Sequence, residues 1–100
     1  MMLELSTVMS VSTTHIQQST AEWLDAQADK GPPSLIVYSK KEYGFFVLVP
    51  TDEQIGALPF EATYRCDLMG LLWIARHHKA RWLELDRDVA PDKLLPQWDW

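Results

Sequence analysis

The sequence predicts an α+β fold of the ferredoxin-like kind, in the order βαββαβ, with an antiparallel four-stranded sheet and two helices on one face. Three patterns point there. Apolar and polar residues alternate at both ends of the chain. Two β-branched and aromatic runs sit close together in the middle. A helical apolar stripe lies between these runs and the last alternation. Right-handed crossovers then place the first and third strands at the centre of the sheet.

The first strand is read over residues 3–11. Leu3, Leu5, Thr7, Met9 and Val11 share one side, and Glu4, Ser6, Ser10 and Ser12 the other, with only Val8 breaking the alternation. The polar stretch 12–20 offers two helix starts, Thr14 followed by Gln17 and Ser19 followed by Glu22, the second being the better capping box. Ala21, Leu24 and Ala28 share a face of this helix with Trp23 beside it; Gly31 suits its end, and Pro32-Pro33 stop it. Residues 35–38 and 45–49 form a hairpin, and their consecutive apolar positions predict strands covered on both faces. Residues 51–58 read as a loop. Pro59 opens one long helix to about Lys79. Its stripe Tyr64, Leu68, Leu71, Leu72 and Ala75 faces the core, while Cys66, Met69 and Trp73, with Ile74 at the edge, make the opposite face apolar too. The last strand is 82–86, with Leu83 and Leu85 on one side and Trp82, Glu84 and Asp86 on the other. From about residue 88 to 100 follows an irregular tail containing Pro91 and Pro96 and ending in Trp98-Asp99-Trp100.

One hundred residues, 47% hydrophobic and 11% aromatic, suffice for a single domain spanning 1–100 with one core. Fourteen acidic residues against nine basic ones give a formal charge of −5, which argues against direct nucleic-acid binding by phosphate neutralisation. The single cysteine leaves no internal disulfide and fits a reducing compartment. The N-terminus lacks the basic n-region of a signal peptide, and the longest apolar stretch, 68–75, is far short of a membrane span. The expected localisation is cytoplasmic.

No catalytic constellation, metal site or cofactor motif emerges. His77 and His78 are adjacent and point about 100° apart on a helix, so they do not grip one metal; with Arg76, Lys79 and Arg81 they read as a basic helix C-terminus complementing the macrodipole. His15, among Ser12, Thr13 and Thr14, reads as a turn brace before it reads as a general base. Cys66 reads as a buried, inert thiol. Gly31, Gly44, Gly56 and Gly70 are too scattered for a phosphate loop.

Charge distribution carries more. Residues 1–29 hold Glu4, Glu22, Asp25 and Asp29 and no lysine or arginine, and residues 83–100 hold Glu84, Asp86, Asp88, Asp92 and Asp99 against Arg87 and Lys93. In the expected fold the first and last strands share one half of the sheet, so Glu4, Glu22, Asp25, Glu84, Asp86 and Asp88 form a candidate anionic patch for a cationic partner. The five tryptophans exceed what one small core holds. Met69, Trp73, Trp98 and Trp100 are a candidate apolar interface. Either the tail folds back over Met69 and Trp73, which the sequence favours slightly, or that face pairs two copies in a homodimer.

Ser12-Thr13-Thr14-His15-Ile16, Trp23-Leu24-Asp25, Tyr43-Gly44-Phe45-Phe46-Val47 and Trp82-Leu83-Glu84-Leu85-Asp86 together resemble a family of small proteins from bacterial plasmids, phages and integrative elements that has no assigned function, with matching blocks from about residue 4 to 98. The resemblance implies no catalytic residue. It implies a setting in which small acidic proteins inhibit host defence, as anti-CRISPR and antirestriction proteins do, several by presenting carboxylates where phosphates would sit. The expectation is therefore a non-enzymatic inhibitor that blocks a basic DNA- or RNA-binding surface of a host complex. The alternative is an accessory or antitoxin-like protein that oligomerises through its apolar helix face.

Overall fold

A computed structural model describes residues 5–30, 35–63 and 65–100. Its elements are β1 (Val8–Val11), α1 (Gln18–Lys30), β2 (Val37–Ser39), β3 (Gly44–Leu48), α2 (Asp52–Gly56), α3 (Phe60–Thr63), α4 (Cys66–His77) and β4 (Trp82–Asp86), with single 3₁₀ turns at Thr13–His15 and Lys41–Tyr43. The expectations for Leu3, Glu4, Gly31, Pro32, Pro33 and Tyr64 lie outside the described residues.

The chain is α+β, as the alternation predicts, but its sheet is mixed and not wholly antiparallel. The order is β1-β4-β3-β2. β1 runs parallel to β4, while β3 is antiparallel to both β4 and β2. β4 and β3 therefore hold the centre, and β1 is an edge, in place of the expected central β1 and β3.

The cause lies between β3 and β4. One long helix after β3 would return the chain to the end of the sheet where β3 began, making β4 parallel to it. Instead the stretch is divided. Thr51 starts α2 with a capping box, its hydroxyl accepting from the Gln54 N–H while the Gln54 side chain accepts from the Thr51 N–H. α3 stops at Thr63, and Arg65 stands at the N-cap of α4 with non-helical backbone (φ −81°, ψ 82°). The segments run out and back, so that Leu48 at the end of β3 lies opposite Trp82 at the start of β4. The Val49 N–H closes this excursion on the Arg81 carbonyl at 2.8 Å.

Packing follows the two periodicities. Met9, Val11, Val37, Phe45, Val47, Leu83 and Leu85 point from the sheet into one cluster with Ile16, Ala21, Leu24, Leu68, Leu71 and Leu72. Both main helices thus cover the same face, and the stripe Leu68, Leu71, Leu72, Ala75 is buried as its spacing requires. Among the described residues the hairpin strands are covered on that face only: on the other, Tyr38 is exposed and Phe46 and Leu48 half-buried, beside the exposed Val8 of β1 and the half-buried Trp82 of β4. Their continuous apolar runs had predicted cover on both sides.

Among the described glycines, Gly44 is the one that the fold demands. Its φ is +138°, and a Cβ built there would lie 1.8 Å from the Leu85 carbonyl oxygen. The clash is with backbone of the central strand, which has no room to yield. Gly44→Ala is expected to cost about 3 kcal/mol or more, read as a fall in the urea midpoint, whereas Gly56→Ala, with open space around its Cβ position, should leave the midpoint near wild type.

Candidate functional site

Because β-strands alternate, the sheet face opposite the helices collects Val8 and Ser10 from β1, Trp82, Glu84 and Asp86 from β4, Phe46 and Leu48 from β3, and Tyr38 from β2. Three aromatic rings meet there. Tyr38 and Phe46 flank Trp82 at centroid distances of 5.9 and 6.4 Å, tilted and edge-on respectively. With Ser6 and Val8 they line a shallow concavity of about 450 Å³.

Beside the rings lies an ionic cluster. Lys40, the residue after β2, places its Nζ 2.6 Å from Glu84 and in direct contact with Asp86, and 5.1 Å from the centre of the Phe46 ring. The Ser10 hydroxyl donates to the second oxygen of Glu84 at 2.6 Å. The Asp88 N–H donates to Asp86 at 2.8 Å. The Lys40 ammonium holds the Asp86 and Glu84 carboxyls below their usual ranges, helped by the Asp88 amide at Asp86 and the Ser10 hydroxyl at Glu84. In return Asp86 and Glu84 raise the Lys40 ammonium above the usual lysine value. Glu84 and Asp86 do point the same way, as the alternation requires, but they are clamped on one lysine and do not form an open comb of carboxylates.

The remaining acids lie elsewhere. Glu22, Asp25 and Asp29 are exposed on α1, which packs on the other face of the sheet. Their i, i+3, i+7 spacing makes one solvent-facing stripe. Asp25 lines a cavity of about 390 Å³ with Lys41 and Arg87. Asp88 is exposed just past β4, its carboxylate 4.0 Å from Arg87. Glu4 lies outside the described residues.

The tail folds back, but not over Trp73. Leu95, Pro96 and Trp98 line a groove with His15 and with the Cys66, Gly70, Ile74 stripe of α4, one turn-stripe away from Met69 and Trp73. Met69 is packed at the margin of the core, and Trp73 stays 48% exposed. Cys66 is exposed at the first residue of α4, not buried, because the break after Thr63 makes it a helix end and not a mid-helix position.

His15 is the brace. It is buried, its Nε2 accepting from the Asp92 N–H at 2.9 Å and its Nδ1 donating to the Pro96 carbonyl at 2.8 Å. A backbone amide can only donate and a carbonyl only accept, so the ring carries its proton on Nδ1. The Trp98 N–H donates to the Thr14 carbonyl at 2.8 Å, and the Trp100 indole N–H to the Ile16 carbonyl at 2.9 Å. The short segment from Ser12 to Ile16 thereby anchors the whole tail. In sequence this was visible only as a lone histidine among turn formers, since its partners lie about eighty positions away.

The architecture is that of an α+β domain with one sheet face covered by helices and the other, among the described residues, uncovered. The chain belongs to the family described as a family of unknown function (DUF5983), C-terminal domain, whose model matches residues 8–100. No curated protein and no solved structure matches it.

Two outcomes test these contacts. Glu84 and Asp86 are depressed in the folded state, so their contribution is present above about pH 4–5 and lost as pH falls through the folded values; the raised Lys40 contributes below the usual lysine value and is lost only as pH climbs past its folded one. Lys40→Met should therefore flatten the loss of stability between about pH 5 and 2, followed by urea midpoints at each pH. Separately, His15→Ala should release the tail, speeding hydrogen exchange at the Trp98 amide about 10- to 100-fold, the amount expected for one or two orphaned buried hydrogen bonds.

Proposed function

We propose that this chain is a non-enzymatic binding module that docks a protein partner on the uncovered face of its sheet. The observation that carries the reading is the cluster Tyr38–Phe46–Trp82, three rings gathered on a face that no element among the described residues covers. Large aromatic side chains partly open to solvent are the usual anchors of protein interfaces, since they bury much area while losing little side-chain freedom. The neighbouring charges are already compensated by Lys40, so the face selects an apolar partner surface with a polar rim more than a strongly basic one.

A second reading keeps the inhibitor expected from the sequence, a protein that occupies a basic DNA- or RNA-binding surface of a host complex. The exposed stripe Glu22, Asp25, Asp29 favours it. Among the described residues these acids, unlike Glu84 and Asp86, have no ion-pair partner and present a row of carboxylates to lysines and arginines. Such binding would weaken steeply with salt, whereas docking through the aromatic face would not.

Photo-crosslinking in the native host separates the two. A crosslinker at position 38 is expected to capture one discrete partner, and Trp82→Ser to abolish the capture. Capture from position 25 alone, lost at high salt, would favour the acidic stripe. Equal yields from position 38 and from the exposed tail position 94 would defeat the aromatic-face reading.

A further inference from the structure

The basic end of α4 forms a cleft that neither binding reading uses. Trp73, Arg76, His77, Lys79 and Arg81 line it with Asp52 and Val49, around a volume of about 620 Å³, within the range of small-ligand sites. Three of the chain's nine lysines and arginines thus converge in a molecule of net charge −5. Arg76 is held by Asp52, which fixes its guanidinium at the cleft wall. Among the described residues, neither Lys79 nor Arg81 has an ion-pair partner, and both are exposed. The Trp73 ring stands open beside them.

The backbone shows that Lys79 is not merely a helix-terminal charge. The Ala80 N–H donates to the Ala75 carbonyl at 2.9 Å and the Lys79 N–H to the Arg76 carbonyl at 2.9 Å, the paired bonds of a Schellman end. Lys79 sits at the position of that motif where glycine is usual, with φ +59°. A side chain there is strained by about 1–2 kcal/mol. The Thr7 hydroxyl holds the same residue by donating to its carbonyl at 3.1 Å. A lysine thus stands where glycine would be more stable, and it lines the cleft together with the half-exposed Trp73.

We propose that this cleft binds a nucleotide, its phosphate on Lys79 and Arg81 and its base stacked on Trp73. Cations alone would serve any anion; the flat exposed ring is what selects a phosphate carried next to an aromatic base over a carboxylate-rich peptide. The acids elsewhere act against a long polyanion, but beyond about 8 Å they are screened at physiological salt, so one or two phosphates are accepted where a duplex is not.

The test is titration of the full chain with AMP, with a single-stranded ten-nucleotide oligomer and with a poly-glutamate peptide, followed at the Trp73 indole N–H by NMR. The expected result is saturable displacement of that signal by AMP, the oligomer or both; tighter binding of the oligomer assigns the source as a strand, equal binding as a free nucleotide. Lys79→Gly should weaken binding about tenfold or more, as for one charge-assisted contact, while leaving the thermal midpoint equal to or above wild type. That combination separates a binding role from a structural one. No movement of Trp73 with either nucleotide probe at millimolar concentration, binding unaffected by Lys79→Gly, or poly-glutamate binding as well as the nucleotides would overturn the proposal.

Discussion

The structure hangs on the seating of β4 between β1 and β3. Leu83 and Leu85 have no solvent exposure, and each is flanked in register by Met9 and Val11 on one side and by Val47 and Phe45 on the other. One strand thus joins the N-terminal edge to the hairpin and carries the inward row on which α1 and α4 close. The same strand also sets the outward row. Trp82 meets the rings, and Glu84 and Asp86 meet Lys40. Covered core and uncovered face are two sides of one alternation, so a shift of one residue in β4 would place carboxylates in the core and leucines in water.

The requirement at Gly44 follows from the same seating. β3 approaches β4 so closely there that the Leu85 carbonyl occupies the place of a side chain. The turn before it reverses the chain and delivers Lys40 onto the outward face. The clamp of Lys40 on Glu84 and Asp86 is therefore a product of the hairpin's geometry as much as of charge attraction. It converts what would be a repulsive pair of carboxylates into a cluster that sits beside an apolar surface without requiring a cationic partner.

Charges on this molecule are sorted by location more than by number. The net value of −5 hides three environments: an open acidic stripe on α1, a compensated cluster on the sheet, and a basic cleft at the end of α4. Tryptophans are sorted likewise. Trp82 belongs to the sheet face and Trp73 to the cleft. Trp98 and Trp100 belong to the tail, which His15 straps to the turn after β1. Trp23 packs at the core margin beneath the Arg65 guanidinium, 5.3 Å from the ring centre.

What the sequence determined by itself were the elements whose periodicity is local: the α1 face of Ala21 and Leu24, the hairpin, the α4 stripe from Leu68 to Ala75, and the alternation of β4. Each is a run in which spacing and burial obey a single rule, so it can be read without knowing its neighbours. The stretch 51–58 was read as a loop, yet Thr51 and Gln54 form a capping box that starts α2 there. The tertiary structure alone decided the rest. Whether 59–79 is one helix or two depends on the break between Thr63 and Cys66, which no breaker residue marks, and that break determines the direction of β4. The pairing of Lys40 with Glu84 and Asp86, the strap on His15 and the convergence of Trp73 with Lys79 and Arg81 arise from side chains brought together by chain reversal. Pattern along the chain records which face a residue takes; only the path of the backbone records what waits on that face.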